Sequence, residues 1–514
     1  MQPAANLAPK RANRETAGAA ILIVLFLLVS LVTLTRTPIV YVDEPQYADP
    51  AANLYFGRGF TSTLWRQPPD VFWTGNVPLF QWIQWLFYKV AGFGFFQARL
   101  VNLLLAAAGG GLIWSALKRS NFIRQPAHRL LALALVLSGS LSTATFRTIR
   151  PDATMFFCCA LVFYASNLIT PGAVRYLFAG AAAMLLPFAG IPMLPYVGVM
   201  LVLNVVIYRF TNLRLFIAIG AGMLAGIAGL ALFYQHFSSV KTFLGTILPF
   251  TGIGAGNHGQ YPTLGERLFG NGPGSETIWT AFFGLPFDPR IQFDYSEVLL
   301  LAAAVIVALT AWKRANSESR RLIVFALAIV LIVPPIMHLA GHFRYYYHWM
   351  VYIPLAIAIP RLLEVQSEAA APSRSRYVVV AAIGVSLFLG IPARTLLPLA
   401  NWNGRSTNPL ERISPRIARA EDVVVANYRT YFALRPHVRL LYCYGLTARG
   451  DFGETPNLAT NEITLLALFP DDLSRVTNRV GGSWKKVVLD GAPGAAELAK
   501  SRYNVDFYRR NSVQ

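Results

Sequence analysis

The chain reads as a polytopic α-helical membrane protein with about eleven transmembrane helices, followed by a small C-terminal extracytoplasmic α/β domain. Three observations predict this. Of 514 residues, 55% are hydrophobic and only 14% are charged, whereas soluble domains carry about a quarter charged residues. Apolar runs recur that are long enough to cross roughly 30 Å of hydrocarbon as helices. After residue 400 the pattern changes to short apolar runs alternating with polar stretches.

The spans fall near 18–35, 98–117, 130–145, 152–168, 176–188, 191–208, 215–232, 296–312, 322–340, 345–360 and 377–396. A lipid-exposed backbone must satisfy its own hydrogen bonds, so these runs are helices. The first has an apolar stretch long for a signal peptide, and no Ala-x-Ala site precedes Asp43, so it is expected to stay as an anchor. Pro187, Gly190, Pro192 and Pro195 predict a break or re-entrant turn within 174–208.

A net charge of +20 invites a nucleic-acid reading, but the charges sort by side of the membrane. Lys10, Arg11 and Arg14, the Lys118–Arg129 loop, Arg209, Arg214, and Lys313 to Arg321 all fall on the N-terminal side. The short loops on the other side hold only Arg147, Arg150 and Arg344. This bias places the N-terminus in the cytoplasm, and an odd number of spans places the C-terminus outside. The three cysteines, Cys158, Cys159 and Cys443, form neither a disulfide framework nor a zinc spacing.

Three long segments fall on the outer side. The first, 36–97, holds interfacial helices between about 43 and 91. One runs from about Pro45 to Phe56 and is stopped by Gly57 and Gly59. The other is aromatic, at 78–91, with Trp82, Trp85, Phe87 and Tyr88 suited to the headgroup level. The second is the outer loop 233–295, rich in Gly, Pro and aromatics and carrying His258; a loop of this length is usually functional or disordered. The third is the tail. Runs at 422–427, 438–443, 463–469, 486–490 and 504–508 read as strands, with a helix near 471–479. Continuous apolar runs of this kind suit buried parallel strands. The domains are therefore 1–400, transmembrane, and 401–514, soluble α/β.

Three constellations on the outer side could carry chemistry. Asp43 and Glu44 follow the first span. Glu44 before Pro45 fits an N-cap followed by N1, which leaves Asp43 as a candidate general base. Arg147, Arg150 and Asp152 surround Pro151 at a helix start. Local capping is one account of them, and an anion site at a helix N-terminus is the other. His342, Arg344 and Tyr345 precede the tenth span. Arg344 suits bidentate phosphate contact, whereas Tyr346, Tyr347 and Trp349 read as an aromatic belt.

These residues, in this order, resemble the GT-C superfamily of polyprenyl-phosphate-sugar glycosyltransferases, in particular the protein mannosyltransferase and aminoarabinose (lipid A) transferase group. The resemblance covers roughly residues 15–360. It rests on Asp43-Glu44 with Tyr47 and Ala51-Ala52-Asn53-Leu54, then Pro78-Leu79-Phe80 with Trp82, and Ala98-Arg99-Leu100. Arg150-Pro151-Asp152 and Arg344-Tyr345-Tyr346 complete it. Gly75-Asn76-Val77-Pro78 departs from the Lys-Pro-Pro of many relatives.

The resemblance implies transfer of a sugar from a polyprenyl-phosphate-linked donor to a lipid, glycan or protein acceptor on the extracytoplasmic face of the cell's inner (plasma) membrane. Asp43 is then the catalytic base with Glu44 beside it, and Arg344, Arg150 and Arg147 bind the donor phosphate. Tyr47, Asp152, His342, Tyr345 and His258 are substrate-binding candidates. No cofactor is certain; a divalent metal is left open, with no ligand set assigned. No nucleic-acid partner is expected. The competing class is a lipid or small-molecule transporter or flippase, which also needs many spans and a broken helix.

Overall fold

Over the described residues each expected apolar run is largely helical. The computed structural model describes residues 7–64, 70–73, 75, 77–139, 145–168, 172–208, 212–238, 295–312, 315–339, 347–367, 374–444, 460–489 and 491–511. Helix α1 (Leu7–Thr33) is followed by α2 (Asp43–Tyr55) and α3 (Pro78–Ala91), then α4 (Phe95–Ser120), α5 (Pro126–Ser138), α6 (Asp152–Ser166) and α7 (Gly172–Met184). The short α8 (Leu186–Ala189) and α9 (Met193–Tyr208) flank the expected break. Next come α10 (Leu213–Phe237), α11 (Tyr295–Trp312), α12 (Ser317–Leu339), α13 (Trp349–Ser367), α14 (Arg374–Leu389) and α15 (Ile391–Leu399). Among the described residues six helices are long and apolar enough to cross a membrane, and α5, α6 and α9 are shorter apolar helices. The outer loop 233–295 is replaced at its start by the continuation of α10. Its remainder, His258 included, lies outside the described residues.

Small residues let the helices approach closely. A Cβ on Gly109 of α4 would lie 2.6 Å from the Phe156 ring of α6, and one on Gly110 would lie 2.7 Å from Leu137 of α5. Such contacts replace the hydrophobic driving force that lipid does not supply. Both ends of α1 are tied by buried ion pairs. At its N-terminal end Glu15 takes Arg129 through two hydrogen bonds, of 2.7 and 2.6 Å, and accepts a third from the Trp114 indole at 3.2 Å.

Helix α2 starts at Asp43, two residues before the expected start. Glu44 therefore lies inside its first turn rather than capping it. Gly57 and Gly59 end the segment with φ of 78° and 76°, values that a side chain would strain. Helix α3 presents Trp82, Leu86 and Val90, four residues apart, as an exposed apolar face. Tyr88 corrects the headgroup reading: it is fully buried and donates to Gln84 at 2.9 Å.

The tail builds α16 (Asn408–Ile417), β1 (Val423–Asn427), α17 (Tyr431–Leu434), β2 (Leu440–Tyr444), β3 (Leu465–Leu468), α18 (Leu473–Val480), β4 (Trp484–Lys486), α19 (Ala495–Ala499) and β5 (Asp506–Arg510). Strand order is β2-β1-β3-β5-β4. Strands β2, β1 and β3 are parallel as expected, but β5 pairs antiparallel with β3 and β4 antiparallel with β5. The all-parallel expectation fails there because the last strand, β5, enters between β3 and the edge strand β4 and runs opposite to both.

Alternation along β1 divides two cores. Val423 and Val425 face α18, packing with Val476 and Val480. Val424 and Ala426 join a cluster that also contains Val40, Ala48, Ala51, Trp73, Phe80 and Phe95. The sheet thus shares one hydrophobic core with α2 and α3.

Asp422 precedes β1 with its side chain 2% exposed. It accepts from Arg509 at 2.9 and 3.1 Å, from the Thr464 hydroxyl at 2.7 Å and from the Arg419 N–H at 2.8 Å. Burial alone would raise this carboxyl, but Arg509, Thr464 and the Arg419 N–H outweigh it and hold it below the usual carboxylate range. A depressed folded-state value stabilises the fold above the unfolded value of about 4 and is lost as pH falls through the folded value. Asp422→Asn is expected to cost about 2 kcal/mol at neutral pH. Thermal unfolding of the detergent-solubilised chain should show this as a lower midpoint, with the gap to wild type closing in acid. An unchanged midpoint at neutral pH would refute the assignment.

Candidate active site

The site forms where α1 ends and α2 and α6 begin. Glu44 has no exposed side-chain surface. Its Oε1 accepts from Arg99 Nε at 2.8 Å and from the Ile149 N–H at 2.9 Å. Its Oε2 accepts from Arg99 Nη2 and from the Tyr41 N–H, both at 2.7 Å. Four donors fill the four lone-pair directions of a carboxylate. Arg99 Nη1 donates to the carbonyls of Leu34 at 2.7 Å and Pro38 at 2.8 Å, and the guanidinium lies 4.2 Å from the Phe95 ring centroid. One pair thereby joins the end of α1, the start of α2, the start of α4 and the loop before α6.

Asp43, one residue earlier, points elsewhere. Its carboxylate pairs with Arg150 Nη1. Arg150 Nε in turn binds Asp152 Oδ2 at 3.0 Å, and Asp152 Oδ1 accepts from the Trp349 indole N–H at 2.9 Å. The side chains of Arg150 and Asp152 are 3% and 0% exposed, whereas Asp43 is 22% exposed. Within this chain of charges Asp43 is the carboxylate that keeps an exposed side-chain surface. Asn102, three residues after Arg99 on α4, donates to the carbonyls of Thr148 at 2.6 Å and Arg150 at 2.8 Å and so fixes the loop. The Tyr47 ring centroid lies 5.5 Å from the Arg150 guanidinium, and the ring meets Phe80 of α3 edge-on.

Arg147 is fully buried and donates from Nη2 to Thr33 at the C-terminal end of α1. Its Nε and Nη1 have no hydrogen-bond partner among the described residues. Burial, with Arg99 and Arg394 adding repulsion, pulls it down to about 9, so it is still cationic at neutral pH. A cation at a helix C-terminus is favoured by the macrodipole.

The structure thus brings together Asp43, Glu44, Tyr47, Arg150 and Asp152, with Arg147 behind them. His258, His342, Arg344 and Tyr345 lie outside the described residues. Two expectations change. Trp349 and Tyr347 are not belt residues: they are 2% and 7% exposed, and Trp349 holds Asp152. Arg99, Asn102 and Trp349 are members that sequence reasoning missed. An arginine just inside a span carried the one usable signal, because an intramembrane charge needs a partner. Among the described residues no group of three or more His, Cys, Asp or Glu gathers as metal ligands.

The same helix α2 is gripped by the C-terminal domain. Asp49 is fully buried and accepts from Ser62 at 2.6 Å, the Thr63 N–H at 2.9 Å and the Tyr431 hydroxyl at 2.8 Å. Burial and the neighbouring Asp49 push the Tyr431 phenol well up, so it stays a donor. Arg435 donates to Asn53 and places Nε 3.6 Å from Asp49. Arg58 donates to the Val438 carbonyl at 2.6 Å.

Comparison with known proteins now adds to this geometry. The sequence profile of the dolichyl-phosphate-mannose-protein mannosyltransferase family matches residues 75–238, from just before α3 to the end of α10. No curated protein matches the sequence. Among solved structures the chain is similar to ArnT from Cupriavidus metallidurans bound to undecaprenyl phosphate. The TM-score is 0.56 at 14% identity, over 97% of this chain and 99% of that one. The apo state of the same protein matches with TM-score 0.56 and 14% identity over 96% and 98%. The GT-C resemblance read from the sequence is borne out, and the fold is that of a polytopic membrane protein with a small C-terminal sheet domain.

The Arg99–Glu44 pair is expected to behave as a buried ion pair. Arg99→Met and Glu44→Met should each destabilise by about 3–5 kcal/mol, because each strands a buried charge, and the double variant should recover part of that loss. Thermal unfolding in detergent checks this; additive losses in the double variant would contradict it.

Proposed function

We propose that the chain is a glycosyltransferase that moves a sugar from a polyprenyl-phosphate carrier to a hydroxyl-bearing lipid, glycan or protein acceptor. The observation that carries the reading is the linked set Asp43–Arg150–Asp152–Trp349, with Asp43 alone exposed, on an ArnT-like fold. The ArnT structure binds undecaprenyl phosphate, and a carrier of that class is inferred here.

In this scheme the acceptor oxygen attacks the anomeric carbon. The bond from that carbon to the phosphate oxygen breaks, and the phosphate keeps the electron pair. The transition state is oxocarbenium-like. Asp43 takes the acceptor proton. Arg150 already balances two carboxylates, so its part is to hold Asp43 ionised and aimed. Glu44, with every oxygen occupied, holds rather than reacts. Arg344 receives the leaving phosphate, because fixed positive charge stabilises negative charge as it develops. Arg147 adds positive potential from behind. Tyr47 packs against Arg150 at the edge of the donor site; His258, His342 and Tyr345 complete the substrate contacts.

The charge asymmetry of the loops supports a cytoplasmic N-terminus and an extracytoplasmic 401–514 domain in the cell's inner (plasma) membrane. The transporter alternative gains nothing from either comparison.

Release of polyprenyl phosphate from a sugar-loaded carrier, followed with purified protein in detergent, tests the reading. Asp43→Asn should lower the rate by roughly 10²–10⁴-fold with the melting midpoint kept, since Arg150 retains Asp152. Full activity in this variant would remove the base assignment. Arg344→Ala should weaken binding of the carrier phosphate and slow transfer roughly 10²-fold or more; unchanged binding would remove the phosphate role.

A further inference from the structure

A cavity of about 680 Å³ lies inside the helical part, between α4, α6, α9, α12 and α13. That volume is typical of a ligand site. Its inner end is formed by Trp349, Phe156 and Tyr196. Trp349 and Phe156 are only 2% and 1% exposed, and the Trp349 indole is engaged by Asp152. Trp349 therefore stands between this end of the cavity and Asp152. The other end is lined by Ser120, Asn121, Arg124, Arg175, Glu318 and Arg361, of which Ser120, Asn121, Arg124 and Glu318 are exposed. This mouth lies at the end of α4 that meets the start of α1, where Lys118 donates to Thr16. Along α13 the twelve steps from Trp349 to Arg361 correspond to about 18 Å. The wall between the ends is apolar, with Met200, Ile329, Ile353 and Ile357.

The mouth is cationic. Arg361 is neutralised by Glu364 at 2.7 Å. Arg124 gives Glu364 only its backbone N–H, at 3.1 Å. The guanidinium groups of Arg124 and Arg175 have no carboxylate partner among the described residues, and Arg175 Nε is buried without a hydrogen-bond partner. Among the described residues Glu318 is the one acid that lines the cavity.

We propose that this cavity holds an anionic phospholipid of the leaflet on the N-terminal side, its phosphate between Arg124 and Arg175 and an acyl chain reaching toward Trp349. A largely apolar cavity with a guanidinium mouth matches a chain with an anionic head. The polyprenyl carrier is a different occupant, because its phosphate must reach Asp43, on the far side of Trp349 from the arginine mouth. Occupancy would back the indole that holds Asp152. The inference concerns a different ligand and a different end of the bundle from the transfer reaction, and it stands or falls separately from it.

The test uses the full chain extracted in mild detergent. Native mass spectrometry reads retained lipid, and melting is followed after delipidation and re-addition of phosphatidylglycerol, phosphatidylcholine or undecaprenyl phosphate. Phosphatidylglycerol should be retained and should raise the midpoint more than phosphatidylcholine does. Each of Arg124→Ala and Arg175→Ala should weaken it about fivefold, the worth of one basic residue at an anionic surface. Ala326→Phe, on the cavity wall, should abolish retention in a protein that still melts cooperatively. Equal effects of the two phospholipids, an unchanged response in both arginine variants, or stabilisation by undecaprenyl phosphate that those variants abolish would each overturn the proposal.

Discussion

The buried pair between Glu44 and Arg99 constrains everything around the candidate active site. Two full charges have been taken out of water at the edge of a hydrocarbon-spanning helix, and the desolvation cost is tolerable only if every donor and acceptor is used. Glu44 meets that condition with four donors, and Arg99 adds two carbonyls at the end of α1. The start of α2 is consequently locked. Neighbouring residues on a helix are turned by about 100° from each other, so a Glu44 aimed inward leaves Asp43 aimed outward. Adjacent carboxylates of similar chemistry thus have different fates, one structural and one accessible.

Helix α2 is held a second time at its middle. Asp49 and Asn53 engage Tyr431 and Arg435 of the C-terminal domain, and the apolar faces of α2, α3 and the sheet merge into one core. The tail is therefore part of the scaffold that aims Asp43. Disturbing the sheet should be felt at α2 through packing, without any contact between the tail and Asp43.

The two membrane faces are built on the same device and put to different uses. Glu15–Arg129 pins one end of α1 as Glu44–Arg99 pins the other. On the N-terminal side the remaining arginines ring a cavity mouth. On the opposite side Asp43 is paired with Arg150 and keeps 22% of its side chain exposed.

Much of the architecture was legible beforehand. Each expected span falls on a helix, the break near Gly190 is present, and the strands of the tail lie within a few residues of their expected places. Asp43, Arg150 and Asp152 were also named together. Hydropathy, helix length and turn residues act over short stretches, and the bilayer imposes one length on all of them, so a single sequence suffices to read them. What the tertiary structure alone decided was partnership. Glu44 meets Arg99 across 55 residues, Asp43 meets Arg150 across 107, and Asp49 meets Tyr431 across 382. No local pattern encodes such pairs. They form because a buried charge must find its counter-charge wherever packing delivers one, and packing is a property of the whole chain.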